Sequence, residues 1–369
     1  MMAERPGLFS SASLGNLEIA NRLVRSATAE LLATEPIGRA TPALAALYGG
    51  LARGGVGLII SGHAYVDPRG KAHPEMLGAH CDDLIPGLRT LAEATHAEGG
   101  RLALQINHGG RQCDRACTPE LMAPSAVPTP EGDTPLEMTS AEIIATVDAF
   151  AQAARRAKLA GVDAVQLHGA HGYLVSQFLS PHTNRRTDTW GGGFEQRLRF
   201  LAAICEAVRG QVGSEYPVFI KLGMTDNLDR VPDGLTPDDG ARVVSQLAGL
   251  GVDAVEISGG IGGGQSDFNG RLAVGSKSPE AYFRSLSRRA KAATDLPVIL
   301  VGGLRSRAVM DDVLTSGDAD LISMCRPLIR EPDLPRRLQS GETAASACIS
   351  GGRCWAEQMG QGIRCKCEA

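Results

Sequence analysis

AGVDAVQ (160–166), LGVDAVE (250–256) and SGDADLI (316–322) are three versions of one phrase. In each, a glycine ends a helical stretch, a polar residue turns the chain, and a run rich in Ala, Val, Leu or Ile begins. Working outward from these phrases, eight short apolar runs punctuate the chain: LVRSAT (23–28), GLIISGHAYV (57–66), RLALQINHGG (101–110), DAVQLHGA (163–170), VFIKLG (218–223), DAVEISGG (253–260), PVILVGG (297–303) and ADLISMC (319–325). Runs that stay apolar from residue to residue read as strands buried on both faces, the mark of a parallel sheet. Amphipathic stretches lie between them. The clearest, 141–159, follows a Thr139/Ser140 cap signal and has Glu142 in its first turn. Eight strand–helix units predict an α/β fold, a TIM (β/α)8 barrel. The rival, an open doubly wound sheet, requires a Gly-rich phosphate fingerprint after its first strand, and LVRSATAE (23–30) has none.

The chain has 369 residues and a net charge of −4. That length is large for one domain but ordinary for an α/β barrel. The barrel is expected over residues 1–340, with a cysteine-containing tail over 341–369. The mild negative charge and an aromatic content of 4% argue against nucleic acid as a partner. No run approaches the roughly 18 apolar residues of a membrane span, and MMAERPGLFSSASLG (1–15) lacks the apolar core of a signal peptide. Nine cysteines, mostly scattered, suit a reducing cytoplasm. A small-molecule substrate is expected; self-association into a homo-oligomer stays open.

Two inserts follow the third and fourth runs, residues 111–138 and 176–197. In this fold the loops after strands carry the chemistry. The third run ends in Gln105-Ile106-Asn107-His108, and the fourth in Gln166-Leu167-His168-Gly169-Ala170-His171-Gly172-Tyr173. His168 and His171, three residues apart at a strand end, can bring two imidazole N–H donors onto one acceptor oxygen, and Tyr173 carries a phenol able to deliver a proton. A metal site is the rival reading, with His108 as third ligand. Lys221 sits in an otherwise apolar run and needs an anionic partner, either a neighbouring carboxylate such as Glu256 or a cofactor anion. Gly302, Gly303, Cys325 and Arg326 follow the seventh and eighth runs, where barrels commonly hold a phosphate.

Taken together these segments resemble the Old Yellow Enzyme family of FMN oxidoreductases. The resemblance covers about residues 7–340 and is carried by LFSSASLGNLEIANRLVRSATAE (8–30), LQINHGGR (104–111), HGAHGYLVSQFLSPHTNRRTDTWGGGFEQRLRF (168–200), VGG (301–303) and CRPLIREPDLP (325–335). It implies an N-terminal hairpin closing the barrel and FMN at the strand ends. Ser26, Ala27, Thr28 and Gly62 would line the flavin's edge, Gln105 would bond its pyrimidine part, and Lys221 would be the cation beside it. Gly302, Gly303, Cys325 and Arg326 would hold the phosphate. His168 and His171 would hold the substrate oxygen. NADH or NADPH would be the reductant; hydride would pass from flavin N5 to an activated C=C bond, with the proton from Tyr173, as in an ene-reductase. Oxidative demethylation or dehydrogenation of a small amine or lactone is the alternative. It favours an aromatic cage for a cation, and few aromatics besides Tyr65, Tyr173 and Trp190 are in view.

Ala29 and Cys325 depart from the family pattern, which often has Cys or Thr and Gly there. The tail's Cys348, Cys354, Cys365 and Cys367 resemble a worn form of the relatives' iron–sulfur segment, with Gly351 where a ligand cysteine is expected. A structural metal there is a lesser expectation beside a vestige, and an iron–sulfur cluster the least. No second, Rossmann-type domain is expected within the 369 residues. The loops 31–39, 111–138 and 259–277 are expected to shape the substrate pocket.

Overall fold

The computed structural model describes residues 7–34, 36–226, 229, 231–261, 279–352, 354 and 362–367. Eight parallel strands form its centre: β1 (Leu23–Arg25), β2 (Leu58–Ile60), β3 (Leu102–Asn107), β4 (Ala164–Gly169), β5 (Val218–Gly223), β6 (Ala254–Ser258), β7 (Val298–Val301) and β8 (Leu321–Met324). Each pairs with the next, and β8 pairs back onto β1, so the sheet closes. All eight apolar runs are strands. The run 57–66 is broken after β2, and its end, Ala64–Tyr65, pairs separately with the top of β3. The fold is a TIM barrel.

The repeated phrase works as a clamp. Gly161, Gly251 and Gly317 take left-handed φ values of +79°, +80° and +73°, which glycine adopts without steric cost. The aspartates that follow, Asp163, Asp253 and Asp320, accept from the backbone N–H of Leu102, Val218 and Val298 at 2.8, 2.7 and 2.8 Å. Their own N–H groups donate to the carbonyls of the same three residues. Each aspartate thus fixes the first residue of the preceding strand at two points, setting strand register at the bottom of the barrel.

Strand side chains alternate between faces. Outward residues such as Ile59, Leu104, Leu167, Ile220 and Ile257 pack under the helices in the main core. Inward residues Val24, Leu58, Ile60, Ala103, Ala164, Phe219, Ala254, Ile299 and Leu321 form a separate plug, closed from below by Leu14, Leu17 and Ile19. These last belong to the antiparallel hairpin Ala12–Leu14/Leu17–Ile19. Each such leucine or isoleucine contributes roughly 1.5–3 kcal/mol when fully buried. One step up the same inward faces the residues turn polar, and the site begins there.

Around the barrel lie α1 (Pro42–Arg53), α2 (Ile85–His96), α3 (Ser140–Leu159), α4 (Leu174–Leu179), α5 (Phe194–Val212), α6 (Pro237–Leu247), α7 (Arg284–Ala293), α8 (Arg307–Ser316), α9 (Arg326–Arg330) and α10 (Leu334–Ser340). Helix α3 opens with a full capping box between Thr139 and Glu142, worth about 1 kcal/mol. The segment after α10 returns to the barrel: Ser346 N–H donates to Arg305 O at 2.8 Å and Ile363 N–H to Glu30 O at 3.0 Å. Among the described residues no helix is long and apolar enough to cross a membrane.

Candidate active site

The inward faces of β1, β3, β4, β5, β6 and β8 place Ser26, Gln105, Gln166, Lys221, Glu256 and Ser323 in one polar layer above the apolar plug, all nearly solvent-free. Their hydrogen bonds form one network. Gln105 Nε2 donates to Gln166 Oε1 (2.7 Å), and Gln166 Nε2 donates to Glu256 Oε2 (2.9 Å). Ser26 and Ser323 hydroxyls donate to Glu256 Oε1 (2.7 and 2.8 Å). Lys221 Nζ donates to Ser26 Oγ (2.7 Å) and stands 3.3 Å from Glu256 Oε2. The neighbouring-strand carboxylate is therefore the partner that Lys221 has.

Above this layer, side chains from two strand ends and a loop converge. His168 and His171 rings lie 5.0 Å apart, edge to face, and Tyr173 lies 4.8 Å from His168. His168 Nδ1 accepts from Ala170 N–H at 3.4 Å, which assigns the ring proton to Nε2. His171 has a left-handed backbone, φ +63°, an outlier for a side chain of its size and a mark of local strain. Ser258 Oγ, 2.7 Å from its Nε2, fixes the ring's rotation. Burial, reinforced by neighbouring positive groups, holds both imidazoles below their ordinary range, His171 at about 3. Burial pushes the Tyr173 phenol upward, so it stays protonated.

His63, from the break after β2, was not singled out by the sequence. Its ring lies 5.2 Å from Tyr173 and 5.9 Å from His168. Asn107 Nδ2 donates to His63 Nδ1 (2.9 Å), and His63 Nε2 meets His73 Nε2 at 3.2 Å. His73 Nδ1 meets Pro74 O at 2.6 Å. One proton assignment satisfies the whole line, with both rings neutral; burial lowers both pKa values. His108 stands apart from this cluster: its Nδ1 accepts from Gly110 N–H and its ring packs on Gly70. Among the described residues no three His, Cys, Asp or Glu side chains come together as metal ligands, and that holds for Cys348, Cys354, Cys365 and Cys367.

The remaining candidates divide by how their polar groups are used. Ser26 N–H donates to Met324 O, and Gly62 N–H to Glu30 Oε1 (2.8 Å), part of a buried cluster with Arg25 (2.7 Å) and Tyr48 (2.9 Å). A Cβ at Gly62 would strike the Glu30 carboxylate, so only glycine fits. Thr28 is buried beside it, while Ala27 and Ala29 are half-buried. After β7, Gly302 (φ +138°) and Gly303 (φ +71°) form a turn against the ring of Tyr282. The N–H groups of Gly303 and Cys325 have no acceptor among the described residues. Arg326 reaches Tyr282 Oη (3.1 Å) and the Ser350 carbonyl. A turn that only glycine can make, open backbone donors and a neighbouring guanidinium fit a phosphate; a layer of amide, hydroxyl and ammonium donors fits a flat heterocycle rich in carbonyl and ring nitrogen. The residues present therefore fit FMN.

The two inserts support each other. Arg186 donates to the carbonyls of Pro124 (2.9 Å) and Met138 (2.7 Å), and Asn184 Nδ2 to those of Phe178 and Trp190 (both 2.8 Å). The NRRTDTW stretch thus ties the wall after β3 to the wall after β4. The pocket loop 259–277 lies outside the described residues from 262 onward.

Residues 7–344 match the sequence pattern of the NADH:flavin oxidoreductase / NADH oxidase family. The chain belongs to this family of FMN barrels, the Old Yellow Enzyme family. It is 36% identical to an NADH oxidase of Thermoanaerobacter brockii over 372 aligned positions, covering 99% of this chain and 56% of that protein. The chain thus spans little more than half of that relative's length. It is 35% identical to an NADPH dehydrogenase of a Geobacillus strain, covering 94% of this chain and 98% of the relative. The structure of an Old Yellow Enzyme homologue from Zymomonas mobilis superimposes with a TM-score of 0.79 at 26% identity, over 94% of this chain and 96% of that one.

Proposed function

We propose that this family member is an FMN-dependent NAD(P)H oxidoreductase that reduces an activated C=C bond, one conjugated to a carbonyl or nitro group. The observation that carries the reading is the convergence of two neutral histidines and a neutral tyrosine above one polar layer. FMN bound there supplies the two-electron chemistry. In this reading Ser26, Ala27, Thr28 and Gly62 line its edge and the Gln105 amide meets its pyrimidine side. Gly303 and Cys325 N–H groups, with Gly302 and Arg326, hold its phosphate.

His168 donates Nε2–H to the substrate oxygen, and His171, steadied by Ser258, supplies the second contact. Negative charge on that oxygen grows only toward the transition state, so donors fixed in advance favour the reaction more than the binding. The Tyr173 hydroxyl lies on the same side and delivers its proton to the α-carbon, regaining one from solvent. The nine cysteines, none of them in a disulfide, suit a cytoplasmic location. The barrel to about residue 340 is the catalytic unit, and the tail 341–369 is packed on it or extends from it; among its described residues Ser346 and Ile363 bond to the barrel.

Amine or lactone oxidation ranks second. Tyr65 packs in the cluster that Tyr173 leans on, but its ring is stacked on His80 and has the Lys71 ammonium 5.6 Å from its centroid, and Trp190 is held in the loop after β4, so neither ring is open to a substrate cation. An anaerobic panel of enones, nitroalkenes and N-methyl amines tests the ranking. Reoxidation of the reduced protein by enones or nitroalkenes supports it; reduction of the oxidised protein by the amines, with enones inert, refutes it.

A further inference from the structure

Glu256 is an unusual group to find on the axis of a barrel. It is fully buried, and its carboxylate is approached by groups from four other strands: Ser26, Ser323, Gln166 and Lys221. Lys221 lies beside it in strand register. Burying two charges costs several kcal/mol per ion after relaxation, and an apolar pair of similar volume commonly folds as well or better. Stability is thus a weak reason for the pair, and a reason in the chemistry above it is the better candidate.

We propose that Glu256 is a positioning residue that sets the electrostatic strength of Lys221 and so tunes the reduction potential of the flavin. The inference rests on the reading that FMN lies against Lys221. An ammonium with no counter-charge beside a flavin strongly favours the negative charge that accumulates on reduction. The carboxylate 3.3 Å from Nζ tethers the ammonium to itself, so less of the lysine's field reaches the ring and most of the effect of Glu256 runs through where Lys221 is held. The reduced cofactor is then a stronger hydride donor than one beside an unpaired lysine. Charge near the ring is one of the protein's main levers on a bound cofactor.

Glu256 also orients an amide. Because Gln166 Nε2 donates to Glu256, Gln166 Oε1 faces Gln105 and takes its Nε2–H. Gln105 Oε1 is left as the atom that can meet a ligand N–H. One carboxylate therefore fixes both the cation and the acceptor that the polar layer offers.

The test is the midpoint potential of FMN-loaded wild type, Glu256→Gln, Lys221→Met and the double variant, measured against a reference dye. Glu256→Gln is expected to move the potential positive and Lys221→Met to move it negative. The Glu256→Gln shift should fall by at least half in the Lys221→Met background. A Lys221→Met shift with none from Glu256→Gln overturns the inference while leaving the FMN placement standing, as does a Glu256→Gln shift of equal size with and without Lys221. No shift from Lys221→Met overturns the placement, and the inference with it. If Glu256→Gln does not fold, Glu256→Asp, whose carboxylate is drawn back by one methylene, is expected to shift the potential positive by less; an unchanged potential there overturns the proposal.

Discussion

The imidazoles of His168 and His171 meet edge to face, with centroids 5.0 Å apart and planes at 82°. Burial opposes protonation of both rings; Lys221 opposes it further for each, and His171 and His63 oppose it for His168. The pair therefore works as two neutral donors over a wide pH range. Replacing either should remove one contact to the substrate oxygen. His168→Ala and His171→Ala are each expected to lower alkene turnover by about 10²-fold or more and to weaken phenol binding, with FMN content unchanged. Wild-type turnover and phenol affinity in both variants would show that the donors are elsewhere.

Tyr173→Phe separates proton delivery from oxygen binding. The ring and its contacts with His63 and His168 remain, and only the hydroxyl is lost. Alkene reduction should fall by roughly 10²–10⁴-fold, with phenol binding held within a few-fold. Stopped-flow reoxidation by an enone measures the first and a spectral titration the second. A variant that reduces enones at the wild-type rate would assign the proton to solvent.

Acid should destabilise the fold through its buried histidines. His63, His73, His168 and His171 have folded pKa values depressed from 6.5, chiefly by burial. Their contribution is complete above pH 6.5, where the unfolded chain is also neutral. It is lost as pH falls below that value, because only the unfolded chain takes up protons. Each such group contributes a slope of up to about 1.4 kcal/mol per pH unit. Tm should drop between pH 7.5 and 5.5, and His171→Asn should flatten that drop. An equal drop in the variant would place the acid sensitivity in other groups.

Beneath the rim of the site, Arg25 and Glu30 form an ion pair whose side chains are 3% and 6% exposed. Tyr48 and Gly62 N–H complete the carboxylate's bonds. Removing one partner leaves a buried charge, so Glu30→Ala should cost about 3–5 kcal/mol, read from urea unfolding. A loss below 1 kcal/mol would mean that the cluster is hydrated.

Gly303→Ala probes the phosphate turn. Its φ of +71° disfavours a side chain, and a Cβ would run into the Pro279 carbonyl. FMN affinity should fall by at least about tenfold, or 1.4 kcal/mol, with helical content intact by circular dichroism. Unchanged affinity would move the phosphate away from this turn.

The barrel was legible because its signals are local. A run such as VFIKLG needs only its own apolar residues to read as a buried strand, and GVDAV reads as a turn from glycine and aspartate alone. The phrase held more than was taken from it. Gln166 and Glu256 occupy the same place in AGVDAVQ and LGVDAVE, and they bond to each other across the barrel. Glu256 was legible as the carboxylate facing Lys221, and Gln166 stands two residues before His168 on the same inward face; their bond to each other was not legible, because it joins strands that are not neighbours. His63 and Tyr282 were not legible. Their roles depend on a strand break and a turn contact joining residues far apart in sequence. The NRRTDTW signature was legible as a motif, but its side chains serve mainly to brace two loops.

The absorption spectrum of the purified protein tests the central claim most directly. The expected result is a yellow protein that releases FMN on denaturation, bleaches with NADH or NADPH without oxygen, and recovers its colour on addition of an enone. A colourless protein that FMN cannot reconstitute would contradict it.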